Sequence, residues 1–379
     1  MTDAHTFSFE ILHTSKKSKA RVGRIHTPHG IIDTPNFVAV GTNGSLKTLH
    51  NHDITDLGLQ LMFCNTYHLL LQPGPDIIKQ AGGLHRFINR SMPLITDSGG
   101  FQVFSLAYGG VAKELKSQGH KRHDGSVLKI NEEGVIFRSY RDGQKIHLTP
   151  ESSVETQKAL GADIIIPLDE LPPYHINHDK LIESFDRTHR WQTRSLNTHL
   201  ANPNNQAMYA VIHGGVDPDL RKQSCHILTN LDFNGFAIGG SLGKTKSQLF
   251  DTLRCTVPHL PPHAPNHLLG IGDIESIQNC IPLGIDTFDS AYPTKAARHG
   301  VLLTKKGNLK IERRVHANDF GAVEPDCPCP TCTQYSVAYL HHLFKAKEPS
   351  AASLASLHNV AFMVEWMKRL RTHILEGEI

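Results

Sequence analysis

The segment AMYAVIHGGVDPDLRKQSCHILTNLDFNGFAI, residues 207–238, decides the fold. It opens with an unbroken apolar run, AMYAVI (207–212), too short for a helix and suited to a strand covered on both faces. A glycine pair, Gly214-Gly215, interrupts it. Asp217-Pro218-Asp219 then reads as a helix start, a capping side chain followed by proline in the first turn. Apolar residues recur at helical spacing from Pro218 to Leu231, and GFAI (235–238) begins a second short run.

The same strand–helix unit recurs in both directions. Apolar runs stand at NFVAV (36–40), LQLMFC (59–64), PLIT (93–96), ADIIIPL (162–168), HLLGI (267–271) and IDTF (285–288). With the two above they make eight. Helical periodicity fills Glu151 to Leu160, His178 to His199, Ser247 to Val257 and Ile274 to Leu283, and Thr149-Pro150-Glu151 is a second capped start. Eight strands alternating with helices point to an α/β fold of the parallel (β/α)8 barrel type. A doubly wound open sheet is the alternative, but no Gly-x-Gly-x-x-Gly turn follows the first strand.

Three regions depart from the repeat. Residues 6–33 alternate apolar and polar side chains, as a β-hairpin lid on the bottom of the barrel would. Residues 105–148 carry SVLKI and VIFRSY with Asp-Gly turns at 124–125 and 142–143, an inserted β-hairpin unit. Residues 301–379 hold short strands (VLLT, NLKIERR), a cysteine cluster and a helical stretch from about Ser353 to Leu375. The division expected is a catalytic barrel over 1–300 and a metal-pinned subdomain over 301–379.

Composition narrows the class. The 379 residues are 39% hydrophobic and 20% charged, with 39 basic against 36 acidic side chains, so any charged partner must meet local rather than global charge. Lys16, Lys17, Lys19 and Arg21, and Lys305, Lys306, Lys310, Arg313 and Arg314, are the two local basic groups. No apolar stretch approaches the roughly 20 residues that cross a bilayer. The opening MTDAHTFSFE lacks a basic segment followed by an apolar core, so a cytoplasmic protein is expected.

Chemistry concentrates at the strand ends. Asp97 follows PLIT, Asp169 follows IIIPL and Asp289 follows IDTF, the side of a barrel where active sites lie. Paired carboxylates are what glycosyl chemistry needs, one as nucleophile and one as proton donor and acceptor. Gly99-Gly100, Gly214-Gly215 and Gly239-Gly240 let backbone amides approach a flat ligand, and Phe101 can stack on a base. Cys327-x-Cys329-x-x-Cys332, with His358 26 residues on, has the donor set of one closed structural zinc site. His316, His341 and His342 compete as the fourth ligand. His358 is favoured because it lies on the helix that must be tied back.

The segments NTYHLLLQPG (65–74), TDSGGFQVFSL (96–106), FAIGG (236–240) and GIDTFDSAYPTKAARHG (284–300), with the Cys327, Cys329, Cys332, His358 quartet, resemble the queuine/archaeosine tRNA-ribosyltransferase family. The resemblance runs nearly the whole chain, in order. It implies a barrel with a zinc subdomain, often a homodimer, that exchanges the wobble guanine of tRNAs with a G-U-N anticodon for a 7-deazaguanine base. It makes Asp289 the nucleophile and Asp97 the general acid/base. Ser98, Phe101, Asp169, His213 and the Gly239-Gly240 backbone would bind the base, and Arg298 and Lys295 the RNA.

Departures bear on which base enters. Members that insert the small precursor preQ1 resemble this chain except for Tyr at Phe101, Cys at Leu171, Gln at His213 and Val at Gly243. Glycine at 243 would open volume for queuine's cyclopentenediol, whereas Leu171 works against that, so queuine is expected and preQ1 is the alternative. A non-catalytic partner subunit is disfavoured because both Asp97 and Asp289 are present. A barrel glycosidase acting on free sugar would need neither the cysteine appendage nor the basic groups.

Overall fold

The computed structural model describes residues 7–107, 127–174 and 176–379; the Asp-Gly turn read at 124–125 lies outside them. Its first element is an antiparallel sheet of β1 (Ser8–Thr14), β2 (Arg21–Thr27) and β3 (Gly30–Thr34). Then come β4 (Asn36–Val40), β5 (Met62–Cys64) and β6 (Leu94–Thr96), followed by an inserted antiparallel sheet of β7 (Val127–Ile130), β8 (Val135–Arg138) and β9 (Lys145–Leu148). The series continues with β10 (Ile164–Ile165), β11 (Ala207–Ile212), β12 (Gly235–Ile238), β13 (Asn266–Leu268) and β14 (Thr287–Ser290).

The eight strands β4, β5, β6 and β10 to β14 pair in parallel in sequence order, and β14 closes on β4 through Thr287 opposite Asn36. The (β/α)8 barrel read from the sequence is therefore present, with all eight apolar runs supplying strands. Strand alternation separates two cores. Val38, Phe63, Ile95, Ile164, Tyr209 and Val211 fill the barrel interior, whereas Phe37, Met62, Leu94, Met208 and Phe236 face the helices.

The N-terminal region has three strands where a hairpin was expected, because the chain reverses twice, at 15–20 and at 28–29. Ile25 and Ile32 of this sheet join the interior cluster and plug the end of the barrel opposite the active-site end. Arg21 is buried beneath it, 2.6 Å from Asp286, so it belongs to this plug and not to an RNA-facing basic group. Lys19, whose amide bonds the Pro282 carbonyl, marks the first basic group as lying at this same far end.

The expected helices appear at Pro150–Leu160, His178–Leu200, Pro218–Leu228, Lys246–Thr256 and Ile274–Cys280, the last two running on into single 3₁₀ turns. Thr149 Oγ1 accepts the Ser152 amide at 3.1 Å, and the Asp217 carboxylate accepts the Asp219 and Leu220 amides. Helices at Asn51–Asp56, Thr66–Leu71, Pro75–Gln80, Leu84–Phe87, Gly100–Ala107 and Tyr292–Arg298 were not read. None exceeds about two turns, too short for periodicity to register.

β10 is short because a side chain takes over its ladder: Gln157 accepts from the Ile166 amide and donates to the Ile166 carbonyl. Beyond the barrel, β15 (Val301–Thr304) and β16 (Gly307–Lys310) form a hairpin, and helices Pro330–Gln334, Val337–Ala346 and Pro349–Leu375 follow. The last buries Val360, Met363, Met367 and Ile374 in the same cluster as Phe37 and Ala39 on the outer face of β4. Among the described residues no helix is long and apolar enough to cross a membrane.

Candidate active site

Asp97 leaves β6 with its carboxylate buried and held by three N–H donors. The Thr66 amide donates to Oδ1 at 2.7 Å, while Asn65 Nδ2 and Gln102 Nε2 donate to Oδ2 at 2.7 and 2.6 Å. Burial pushes the Asp97 carboxyl up to about 6 against the pull of those donors. A carboxyl poised near neutrality can both give and take a proton.

Asp289 is the third residue of β14 and points into the barrel. Its Oδ1 accepts the Gly270 amide at 2.8 Å and lies 3.0 Å from Nε2 of His267, a fully buried residue of β13. The other ring nitrogen of His267 meets Thr287 Oγ1 at 2.8 Å. Since a carboxylate only accepts, His267 carries its proton on Nε2 and takes the Thr287 hydroxyl on Nδ1. The orientation of Asp289 is thus fixed, while its Oδ2 has no hydrogen-bond partner among the described residues.

Asp169, beyond β10, meets His213 Nε2 with Oδ2 at 2.8 Å and faces Ser98 Oγ with Oδ1 at 3.5 Å. Gly240, at φ +73°, sits so close to His213 that a Cβ there would be 3.0 Å from Nδ1. Gly100 is similarly constrained, since its Cβ would meet the Asp169 carbonyl at 2.8 Å. These glycines let the β6, β10, β11 and β12 loops converge. Arg221, fully buried, binds the carbonyls of Ile212, Gly215 and Ser241 and so ties the β11 and β12 loops together. Phe101 is 47% exposed in the first turn after Asp97, where a ring is open to a ligand.

The structure brings Ser98, Asp169, His213 and Gly240 into one set, and puts Asp97, at the end of β6, and Asp289, on β14, at the same barrel mouth with β4 and β5 between them. Lys295 and Arg298 are exposed on the short helix that follows Asp289, and the Asn308 amide reaches Tyr292 Oη at 3.1 Å, so β16 is also on this side. Leu171 packs with the cluster under the inserted sheet. Gly243 has φ +100°, and its Cβ would stand 2.5 Å from Gln248 Cβ. Glycine at 243 therefore answers first to the backbone, and the pocket-volume reading of that residue loses its force. Asn65, Gln102, Arg221 and His267 were missed as site residues. Asn65 and Gln102 lie inside quoted motifs, and His267 opens a quoted strand, but spacing alone does not reveal which carboxylate each one meets.

Two clusters could hold a metal among the described residues. In the first, Cys327, Cys329, Cys332 and His358 bring their ligand atoms within 4.8 Å of one another. His358 Nδ1 is 3.2 Å from Cys332 Sγ and 3.8 Å from Cys329 Sγ. These bracket the edge of about 3.6 Å that ordinary zinc–sulfur and zinc–nitrogen bonds give a tetrahedron. His358 Nε2 donates to the Leu303 carbonyl at 2.8 Å, the outer contact that orients a ligating imidazole. His341 is engaged instead with the Ile311 carbonyl. In the second cluster, Asp163 lies between His29 and His85, whose rings are stacked 3.5 Å apart. Parallel rings aim their lone pairs along parallel planes, which suits a shared carboxylate and not a shared cation.

Comparison with known proteins agrees with this geometry. A family model described as queuine tRNA-ribosyltransferase matches residues 15–379. The chain is 66% identical over 373 residues to a queuine tRNA-ribosyltransferase of Protochlamydia amoebophila, covering 98% of this chain and 96% of that protein. It is 55% identical over 372 residues to that of Chlamydia caviae, covering 98% and 99%. On both the family match and these identities, the chain belongs to the queuine tRNA-ribosyltransferase family.

Proposed function

We propose that this enzyme exchanges the wobble guanine of tRNAs with G-U-N anticodons (Asp, Asn, His, Tyr) for a 7-deazaguanine base through a covalent aspartyl–ribose intermediate. The observation that carries the reading is the pair of buried carboxylates at one mouth of the barrel, each fixed by its own donors. Asp289 attacks the glycosidic carbon with its free oxygen as the carbon–nitrogen bond to guanine breaks. The electron pair leaves with guanine and Asp97 supplies the proton. In the second half the incoming base gives a proton to Asp97 and its nitrogen displaces Asp289. Ser98, Phe101, Asp169, His213, Gly239 and Gly240 hold the base, and Lys295 and Arg298 hold the RNA.

Queuine is the favoured incoming base, with preQ1 the alternative. What supports it is Leu171, whose bulk is taken up under the inserted sheet, together with Phe101. Since Gly243 cannot be changed without strain, the decisive measurement is the kcat/KM ratio of the two bases on wild type. A preference for preQ1 overturns this part. Cys327, Cys329, Cys332 and His358 would hold one structural zinc. The enzyme would work in the cytoplasm as a homodimer. Phe320, 80% exposed, lines one hollow with the stacked Tyr335 and Tyr339 rings beside the cysteine knuckle, an apolar patch that a second subunit would cover.

The test is transfer of labelled guanine into tRNA, with trapping of an RNA adduct on denaturing gels. The Asp289→Asn variant should trap none. If it traps RNA as wild type does, another residue is the nucleophile.

A further inference from the structure

The inserted sheet supplies no side chain to the site described above, yet it is anchored at the mouth. Phe137, Val135 and Leu148 pack with Tyr67, Phe104 and Trp191 in one buried cluster. The turn between β8 and β9 is tightly held: Ser139 and Gln144 are bonded through their backbones, and the Arg141 amide bonds Ser139 Oγ. This turn presents Tyr140, 60% exposed. Such a side chain is ordinarily free to move, but here its ring lies 6.1 Å from that of Tyr67 at an interplanar angle of 27°, and its hydroxyl is 3.3 Å from His68 Nδ1.

Tyr67 and His68 directly follow Asn65 and Thr66, the residues that hold Asp97. Tyr67 also abuts the glycine turn before Phe101, since a Cβ on Gly99 would be 3.2 Å from the Tyr67 amide nitrogen. Tyr140 is thus an exposed ring beside the buried Tyr67, whose backbone abuts the turn that leads to the exposed Phe101. A positive charge, Lys47, is close enough to help lower the His68 pKa, below the larger effect of burial.

We propose that Tyr140 is a stacking platform for a base of the anticodon loop next to the exchanged nucleotide. The inference rests on the tRNA reading above. When one nucleotide is drawn out of a loop into a pocket, its neighbours lose a stacking partner, and RNA-binding proteins supply aromatic rings in its place. A ring already immobilised by Tyr67 and His68 loses little freedom on binding. Lys47 offers a cation for the adjoining phosphate.

The experiment uses the full enzyme and an anticodon stem–loop RNA. Replacing an aromatic platform typically weakens binding about 10- to 100-fold. Tyr140→Ala should therefore raise KM for the RNA by about that factor. KM for labelled guanine and kcat should stay unchanged, and Tyr140→Phe, which keeps the ring and gives up only the His68 contact, should restore most of the RNA binding lost in Tyr140→Ala. RNAs made abasic at each neighbour of the exchanged nucleotide complete a cycle. At one position wild type should lose the same factor and Tyr140→Ala nothing further. An unchanged RNA KM in Tyr140→Ala, or additive losses at every abasic position, overturns the proposal. Should Tyr140→Ala fold poorly, Tyr140→Leu replaces it, with quenching of 2-aminopurine at the flanking position as readout; equal quenching in wild type and variant also overturns it. Failure of wild type to transfer guanine at all would sink the exchange reading instead.

Discussion

His267 Nε2 lies 3.0 Å from Asp289 Oδ1, and both side chains point into the barrel from neighbouring strands. With Thr287 on its other nitrogen, the fully buried imidazole cannot rotate without breaking a bond. It therefore sets the direction in which Asp289 presents its free oxygen. A nucleophile misplaced by about 1 Å loses on the order of 10²-fold in rate. His267→Ala should lower kcat and slow adduct formation by that order while leaving the dissociation constant for tRNA as it was. Equal turnover in the variant would make His267 a packing residue only.

Asp97 couples function to a stability penalty. Its folded pKa, about 6, is raised above the ordinary 3.8, so the folded state binds the proton more tightly. The favourable contribution is complete below pH 3.8 and is lost as pH rises through about 6. At neutral pH the ionised group costs roughly 3 kcal/mol. Asp97→Asn should thus gain on wild type in unfolding free energy between pH 4 and pH 7.5, by a few kcal/mol at most, since its amide group would face donors. The same variant should lose about 10²–10⁴-fold in turnover with tRNA affinity kept. A stability difference that is flat with pH would put the Asp97 carboxyl at an ordinary value.

The barrel was legible because each strand run was continuous and each long helix had an end signal, as at Thr149 and Asp217. What stayed hidden follows from physics that is not periodic. Helices such as Thr66–Leu71 are too short to show a face. The third N-terminal strand required knowing that Ile25 and Ile32 plug the barrel and do not merely alternate. Asp97, Asp169 and Asp289 were visible as carboxylates at strand ends, but which side chain meets each is set by the turn after β6 for Gln102 and by strand pairing for His213 and His267. Gly243 was misread in kind: its positive φ is a backbone fact that a sequence does not display.

The far end of the barrel carries a pH-dependent clamp. His29, in the turn between β2 and β3, meets the buried Asp163 at 2.7 Å and stacks on His85. The hydrogen bond to Asp163 raises the His29 pKa above 6.5 despite partial burial. Asp163 is depressed well below 3.8, its bonds to His29 and His85 outweighing burial. The His29 contribution is present below 6.5 and lost as pH rises through its raised value, whereas the Asp163 contribution is present above 3.8 and lost as pH falls through its depressed one. The clamp is strongest between the two. His29→Phe keeps the stack and removes the charge. Its melting temperature should fall short of wild type most at pH 5 to 6 and least near pH 9. A gap independent of pH would mean that stacking alone holds the lid.

Loss of the metal should act on assembly before chemistry. The knuckle Cys327 to Cys332 reaches the last helix at His358, which also holds Leu303 of β15. Thr331 Oγ1 adds a bond to the Leu354 carbonyl. Neither Asp97 nor Asp289 touches this unit, and Asn359 still ties the helix to Val301, Leu303 and Pro293 by its own bonds. Chelation or Cys329→Ser should therefore loosen the knuckle and the following Tyr335 and Tyr339 while the barrel remains closed. Wild type should carry about one zinc per chain. The variant should lose that zinc and melt at a lower temperature, and where the proposed homodimer forms it should dissociate at concentrations that leave wild type paired. Labelled-guanine transfer by the variant, measured at low temperature, should fall less steeply than its self-association. Metal-free protein that keeps the wild-type melting temperature and dimer would show that the four side chains need no ion. A variant whose turnover collapsed while its dimer persisted would point to a catalytic use of the metal.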